Sequence, residues 1–156
     1  MAAHSESPTP REAFTFALPL RVRWSEVDRQ GIVFNPNYFV YADVAFTEYF
    51  RALGFPYPQG FEESGSDLFA VSAEGRFRAS ARYDELLEVA YRTARIGRSS
   101  IRFEVAVYSG GALLFDGALV YVNADPETRV PQPLPPQLIG HIEAFERTPP
   151  ATKEAG

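Results

Sequence analysis

The segment SEVDRQGIVFNPNYFVYADVAF, residues 25–46, brings together residue types that suit acyl-transfer chemistry. Asp28 supplies a carboxylate, and Gly31 permits a tight or positive-φ turn after it. Asn35 suits the N-cap of a helix, and Pro36 suits the first helical position, where no amide donor is needed. The spacing therefore predicts a carboxylate in a loop that leads directly into a helix N-terminus.

The start of that helix can supply the second part of an acyl-transfer site. We expect unpaired N–H groups near Asn35, Asn37 and Tyr38, and the partial positive charge there can polarise a carbonyl or hold an oxyanion. Asp28 could then activate water as a general base or attack the acyl carbon itself. An aspartate in such a loop is more often only a turn or capping residue, so spacing alone leaves both interpretations open.

Composition excludes several other chemistries. The chain has 156 residues, a net charge of −5 and no cysteine, which rules out disulfides, thiol nucleophiles and cysteine-bound metals. His4 and His141 are the only histidines, so a histidine-based triad or a multi-histidine metal site is not expected. The acidic balance does not suggest nucleic-acid binding. No apolar run of 18 residues occurs, and we predict a cytoplasmic protein.

The hydrophobic periods predict the elements that position this segment. Aromatic and apolar residues recur at helical spacing over Asn37–Leu53, on nearly every side, so this helix should be mostly enclosed. In FAVSAEGRFRA, alternation places Phe69, Val71 and every second residue to Ala79 on one face of a strand. The remaining predicted elements are strands at 14–24, 86–96, 101–108 and 112–123, a loop at 54–67 and a short helix at 137–147. One helix against one antiparallel sheet is an α+β fold, and its uncovered face or edge should meet a second subunit.

Three segments resemble a known family. VRWSEVDRQGIVFNPNYFVYADVAFTEYFRALG is similar to the signature region of the 4-hydroxybenzoyl-CoA thioesterase-like branch of the hot-dog fold superfamily, which includes the Tol-Pal-associated acyl-CoA thioesterases. FAVSAEGRFRASARYDELLEV resembles the second strand of that family and its turn into the third. VNADPETRVPQPLP resembles its closing Asp-Pro segment. The resemblance covers about residues 18–138.

That resemblance implies a hot-dog fold, in which an antiparallel sheet of about five strands wraps around one long central helix. It also implies dimers, often tetramers, that hydrolyse acyl-CoA thioesters at the subunit interface. Asp28 matches the catalytic carboxylate, and Asn35 matches the position whose backbone N–H polarises the thioester carbonyl. Asp43 matches an acidic residue near the far end of the acyl group, and Arg98 lies in a turn that places basic residues against CoA phosphates.

The resulting hypothesis is an acyl-CoA thioesterase that needs no metal or other cofactor, because CoA is part of the substrate. We expect one domain at 14–147, a flexible leader at 1–13 and a flexible tail at 148–156. The acyl group could be aryl, of the hydroxybenzoyl type, or a short aliphatic chain, and Asp43 could instead pair locally with Thr47 or Arg51. The alternative is a non-catalytic acyl-CoA or acyl-carrier binding module. A hydratase is disfavoured because no histidine lies between residues 5 and 140.

Overall fold

The computed structural model describes residues 7–152. Two segments lie outside this range: residues 1–6 of the predicted leader, which include His4, and residues 153–156 of the predicted tail. Within it, no helix is long and apolar enough to cross a lipid bilayer. The helices are α1 (Asn37–Leu53), α2 (Gln59–Glu62) and α3 (Pro136–Phe145), and the strands are β1 (Phe16–Arg21), β2 (Asp67–Phe77), β3 (Leu86–Ile96), β4 (Ser100–Ser109), β5 (Ala112–Ala124) and β6 (Ala151–Thr152).

The strands form one sheet in the order β1-β3-β4-β5-β2, and every neighbouring pair in that order is antiparallel. Short connections force β3, β4 and β5 to pair in sequence, and the β4–β5 turn contains Gly110 and Gly111 at φ +55° and +83°. The two-residue β6 pairs with β3 in parallel. The predicted α+β hot-dog architecture, a sheet around one long helix, is confirmed.

Helix α1 has the predicted bounds and packs its aromatic face on the sheet. Its buried aromatic residues share the main core with side chains from β3, β4 and β5. The helix ends at Gly54, whose φ of +78° closes the last turn. The prediction that α1 is enclosed on nearly every side is wrong for one stripe, because Val40, Asp43 and Val44 are exposed.

Strand β2 contains a bulge that overturns part of its predicted alternation. The register with β5 shifts between Ala70 and Ser72, so one extra residue is inserted there. Leu68 is buried before the bulge, whereas Phe77 contacts core rings after it. Val71 was predicted to share one face of the strand with Phe77, but Val71 lies at the bulge and is 60% exposed. A one-residue insertion reverses which alternate residues face the core, and sequence alternation alone does not reveal it.

The two ends of the described chain lie against the sheet. Thr9 donates a hydrogen bond to Glu104 Oε2 at 2.7 Å, and Phe14 is buried on the face of the sheet away from α1. At the other end, α3 packs on α1, where His141 Nδ1 lies 2.8 Å from the Leu53 carbonyl oxygen. The domain boundaries at 14 and 147 stay predictions.

Candidate active site

The segment 26–34, which we call the Asp28 loop, is a tight hydrogen-bonded turn. Val27 and Val33 form an antiparallel bridge, and the Asp28 N–H donates to the Ile32 carbonyl at 2.8 Å. The Gly31 N–H donates to the Asp28 carbonyl at 2.9 Å, and Gly31 has the positive φ, +74°, that this turn requires. The loop therefore holds Asp28 in one defined place.

The Asp28 carboxylate is half-buried, and only one of its two oxygens accepts a hydrogen bond. Its Oδ1 accepts a hydrogen bond from the Gln30 N–H at 2.7 Å, which is an Asx turn. Within residues 7–152, Oδ2 accepts no hydrogen bond. The turn function and a chemical function are thus compatible, because each uses a different oxygen.

The helix start differs from the predicted capping arrangement. Residues 34–37 form a turn in which the Asn37 N–H donates to the Phe34 carbonyl at 2.8 Å, and the Tyr38 N–H donates to the Asn35 carbonyl at 3.3 Å. Pro36 precedes the first helical residue, and the Asn35 side chain caps nothing in the described part of the chain. Of the three N–H groups predicted to be unpaired, only that of Asn35 has no partner within residues 7–152. Asn35 is exposed, so a ligand can reach that N–H.

Glu26 joins the Asp28 loop to α1, a role that our sequence analysis did not assign. Its Oε1 accepts from the Arg23 N–H at 2.8 Å and from the Tyr41 hydroxyl at 3.1 Å, and its Oε2 accepts from the Arg23 guanidinium at 2.6 and 2.9 Å. Its carbonyl accepts from the Phe34 N–H and the Asn37 side chain, both at 2.9 Å. The signal that could have identified it is the acidic residue two positions before Asp28.

The charge of Glu26 is stabilised although the residue is 7% exposed. Burial alone would raise the pKa of its carboxyl, but the hydrogen bonds from Arg23 and Tyr41 outweigh burial and hold the pKa below its usual range. An ionised Glu26 therefore anchors the residues on both sides of Asp28.

Asp43 lies on the exposed stripe of α1, two turns from the helix start. Its side chain makes no ion pair in the described chain, and Arg51 pairs with Glu48 instead. Burial and then the negative charge of Asp43 raise the pKa of the Tyr121 hydroxyl. The hydroxyl of Tyr91 is buried without a hydrogen-bond partner. Burial raises its pKa, and the charge of Asp43 adds to this rise. The charge of Asp43 thus acts on tyrosine hydroxyls of the sheet.

Arg98 lies far from the Asp28 loop. It occupies the β3–β4 turn with an exposed side chain, and its carbonyl accepts from the Leu134 N–H at 2.9 Å. The Asp28 loop meets the chain just before β3, through the Ile32–Arg82 bridge. Because β3 has 11 residues at about 3.3 Å each, the two sites are roughly 35 Å apart. One protomer brings Asp28 and Asn35 into one segment but does not bring Arg98 to them.

Four cavities of about 360, 470, 530 and 620 Å³ occur elsewhere, and none of the four is lined by Asp28, Asn35 or Asp43. The 360 Å³ cavity lies under residues 7–9 on the outer face of the sheet. Residues 7–152 contain no group of three or more His, Asp or Glu side chains placed to hold a metal ion. The candidate site is therefore defined by the Asp28 loop and the start of α1 and not by any of these four cavities.

Comparisons with known proteins match a family model and several relatives. A family model described as the thioesterase superfamily matches residues 30–115. A protein of Aquifex aeolicus described as an esterase is 32% identical over 88 residues, which cover 56% of this chain and 68% of that protein. The acyl-CoA thioesterase YbgC of Haemophilus influenzae is 28% identical over 89 residues, covering 57% of this chain and 65% of that protein. A thioesterase of Thermus thermophilus, crystallised with coenzyme A and zinc, is 28% identical with a TM-score of 0.75 and covers 88% of this chain and 98% of its own.

Proposed function

This chain belongs to the thioesterase superfamily, and we propose that it hydrolyses an acyl-CoA thioester to a free acid and CoA. The YbgC relative bears the name of such an enzyme, and the Thermus thermophilus relative was crystallised with coenzyme A. The observation that carries the proposal for this chain is the unused Oδ2 of Asp28 in the same segment as the unpaired N–H of Asn35.

The two groups are suited to opposite sides of one carbonyl. Asp28 and Asn35 lie on paired segments, about three residues out of register, so their backbones are roughly 10 Å apart. A thioester carbonyl that accepts the Asn35 N–H would have to place its acyl carbon within reach of Asp28 Oδ2, which accepts no hydrogen bond within residues 7–152. The N–H stabilises the negative charge that develops on the carbonyl oxygen.

Asp28 can perform the hydrolysis in either of two ways. As a general base, it takes a proton from water while the water oxygen bonds to the acyl carbon, and the carbon–sulfur bond then breaks as the CoA thiolate leaves and is protonated. As a nucleophile, its carboxylate displaces the thiolate and forms a mixed anhydride, which water hydrolyses. Both routes need the Asp28 charge and the Asn35 N–H, and neither uses a cofactor.

The surroundings of Asp43 support an acyl group that carries a polar substituent. After burial, the negative charge of Asp43 on the exposed stripe of α1 also raises the pKa of the hydroxyls of Tyr91 and Tyr121. The half-buried Tyr121 forms no hydrogen bond through its hydroxyl within residues 7–152, so a substrate hydroxyl could satisfy it. A hydroxybenzoyl-type group fits this chemistry, and a short aliphatic group is the alternative.

The free edge of the sheet supports a subunit interface at the site. Strand β2 is the last strand in the order and pairs only with β5, so its outer edge has unpaired backbone groups. The exposed Val40, Val44 and Val71 add apolar area beside it. We infer that a second copy pairs along this edge, in the dimer or tetramer that the resemblance implies. Arg98 of another subunit would then supply the phosphate contact. A cytoplasmic location stays a prediction.

The test is Asp28→Asn, assayed by release of free CoA from benzoyl, hydroxybenzoyl and short to long aliphatic CoA esters. The asparagine Oδ1 still accepts the Gln30 N–H, so the turn is retained while the charge is lost. We expect kcat on the best substrate to fall by at least about 100-fold.

Asp125→Asn is the matched control. Asp125 Oδ1 also holds a turn, through the N–H groups of Glu127 and Thr128 at 2.8 and 2.9 Å. This variant should keep the turnover of the unmodified chain. Unchanged turnover in Asp28→Asn contradicts the catalytic assignment, and binding without hydrolysis by the unmodified chain would indicate a binding module instead.

A further inference from the structure

An exposed aromatic pair lies beside the Asp28 loop. Trp24 is 74% exposed and Tyr83 is 51% exposed, and their rings meet edge to face with centroids 5.2 Å apart. In this geometry the ring that presents its edge has both faces uncovered by the other ring. Large aromatic surfaces are usually buried, so two of them left together in solvent indicate a surface that binds something.

Backbone hydrogen bonds hold the two segments that carry the aromatic pair. The Val22 N–H donates to the Glu85 carbonyl at 2.9 Å, and the Asp84 N–H donates to the Val22 carbonyl at 3.1 Å. Asp84 adopts φ +66°, which is uncommon for a residue with a side chain, and the Arg21 guanidinium binds its carbonyl at 2.7 Å. These contacts hold the segments that carry Trp24 and Tyr83 side by side.

Two cations near the pair have no anionic partner within residues 7–152. Arg21 and Arg23 are paired with Asp84 and Glu26, whereas the exposed side chains of Arg29 and Arg82 form no ion pair. Arg82 immediately precedes Tyr83 and bridges to Ile32 in the Asp28 loop. A guanidinium beside aromatic faces is suited to a phosphate attached to a stacked base.

The segment that carries Arg82 lies close to the Asp28 loop. Asp28 pairs with Ile32, and Ile32 pairs with Arg82, so two strand spacings of about 4.8 Å separate the backbones of Asp28 and Arg82. The nucleotide end of CoA is joined to the thioester through the pantetheine arm, which spans more than this separation when it is extended. The Arg82 side chain and the two aromatic rings would have to cover the remaining distance.

We propose that Trp24, Tyr83 and Arg82 bind the adenine nucleotide of CoA in the protomer that supplies Asp28. Adenine stacks on the aromatic pair, and Arg82 contacts a phosphate. This assignment rests on the proposed function and deepens it, because a nucleotide clamp selects acyl-CoA over the same acyl group on a carrier protein, which has the pantetheine arm but no adenine.

The binding test uses Trp24 as its own reporter, since it is the only tryptophan of the chain. Adenosine 3′,5′-bisphosphate is titrated into the full chain while tryptophan fluorescence is measured, with inorganic phosphate and pantetheine as separate titrations. We expect saturable quenching by the bisphosphate only. Tyr83→Leu and Arg82→Gln should each raise its Kd about tenfold. Arg95→Gln, an exposed arginine near the far end of β3, should leave the Kd unchanged.

The kinetic test compares an acyl-CoA with the thioester of the same acyl group on pantetheine. Tyr83→Leu and Trp24→Leu should raise the KM for the acyl-CoA about tenfold with kcat retained, and should leave the KM for the pantetheine ester unchanged. Both side chains are exposed, and thermal unfolding checks that each variant folds like the unmodified chain.

Three results overturn the clamp: no saturable quenching by the bisphosphate, an equal change of KM for both esters, or a changed oligomeric state in sedimentation of Tyr83→Leu, which would make the pair a subunit contact. If the chain hydrolyses acyl-CoA but the clamp variants behave like the unmodified chain, the clamp is wrong and the proposed function stands. If the bisphosphate binds and its Kd responds to the variants but no acyl-CoA is hydrolysed, the clamp stands and the proposed function is wrong.

Discussion

Removing the Glu26 carboxylate should destabilise the protein, chiefly through Tyr41. Tyr41 is fully buried, and its hydroxyl donates to Glu26 Oε1. In Glu26→Ala that hydroxyl loses its acceptor, and an unsatisfied buried polar group costs about 1–3 kcal/mol. The ion pair with Arg23 adds less, because the Arg23 side chain is 69% exposed and water screens the interaction. We expect the free energy of unfolding to fall by about 3 kcal/mol in total.

Urea denaturation at pH 7 and one fixed protein concentration, followed by circular dichroism, measures this loss. Adding Tyr41→Phe to Glu26→Ala should restore about 1 kcal/mol, because the double variant no longer buries an orphaned hydroxyl. Glu62→Gln, which changes an exposed glutamate, is the control and should leave the free energy of unfolding unchanged.

The pH dependence tests the role of the Glu26 charge. Because the pKa of Glu26 is lower in the folded state than in the unfolded state, its carboxylate contributes stability above the unfolded pKa. That contribution is lost as the pH falls through the folded pKa. The difference in stability between the unmodified chain and Glu26→Gln should therefore shrink in acid. A loss below about 1 kcal/mol in Glu26→Ala, or no recovery in the double variant, would refute the reasoning.

Two further predictions concern other buried positions. Burial raises the pKa of Glu146, although Tyr49 and Thr93 donate hydrogen bonds to its Oε1, so the stability of the unmodified chain should decline as the pH rises through that folded pKa. Glu146→Gln should remove this decline in urea denaturation from pH 5 to 8. An identical pH profile in both proteins would contradict the prediction. A Cβ at Gly117 would lie 2.4 Å from the Glu74 carbonyl oxygen across the β2–β5 pair. Gly117→Ala should therefore lower the free energy of unfolding by about 2 kcal/mol. Gly140→Ala is the control and should not lower it, because a Cβ there would have no atom within 4 Å.

The helix start shows where sequence reasoning succeeded and where it stopped. The bounds of α1 follow from a helical repeat of apolar residues that ends at Gly54, and both are local signals. The predicted Asn35 cap is absent, because the Asn37 side chain is held by the Glu26 carbonyl and residues 34–37 close a turn of their own. Asn-Pro is compatible with either arrangement, so only contacts to a segment 11 residues earlier decided between them.

The sequence by itself determined the helix, the long strands and their antiparallel order, because local periodicity and short connections leave few other pairings. It also determined that Asp28, Asn35 and Asp43 share one segment, and the family resemblance supplied their expected roles. Tertiary structure decided which N–H remains unpaired, that Asp28 keeps one free oxygen, and that Arg98 lies at the other end of β3 from the Asp28 loop. It also set the bulge that turns Val71 outward and the meeting of Trp24 with Tyr83. These features depend on partners distant in the chain, and a pattern of neighbouring residues carries no record of such partners.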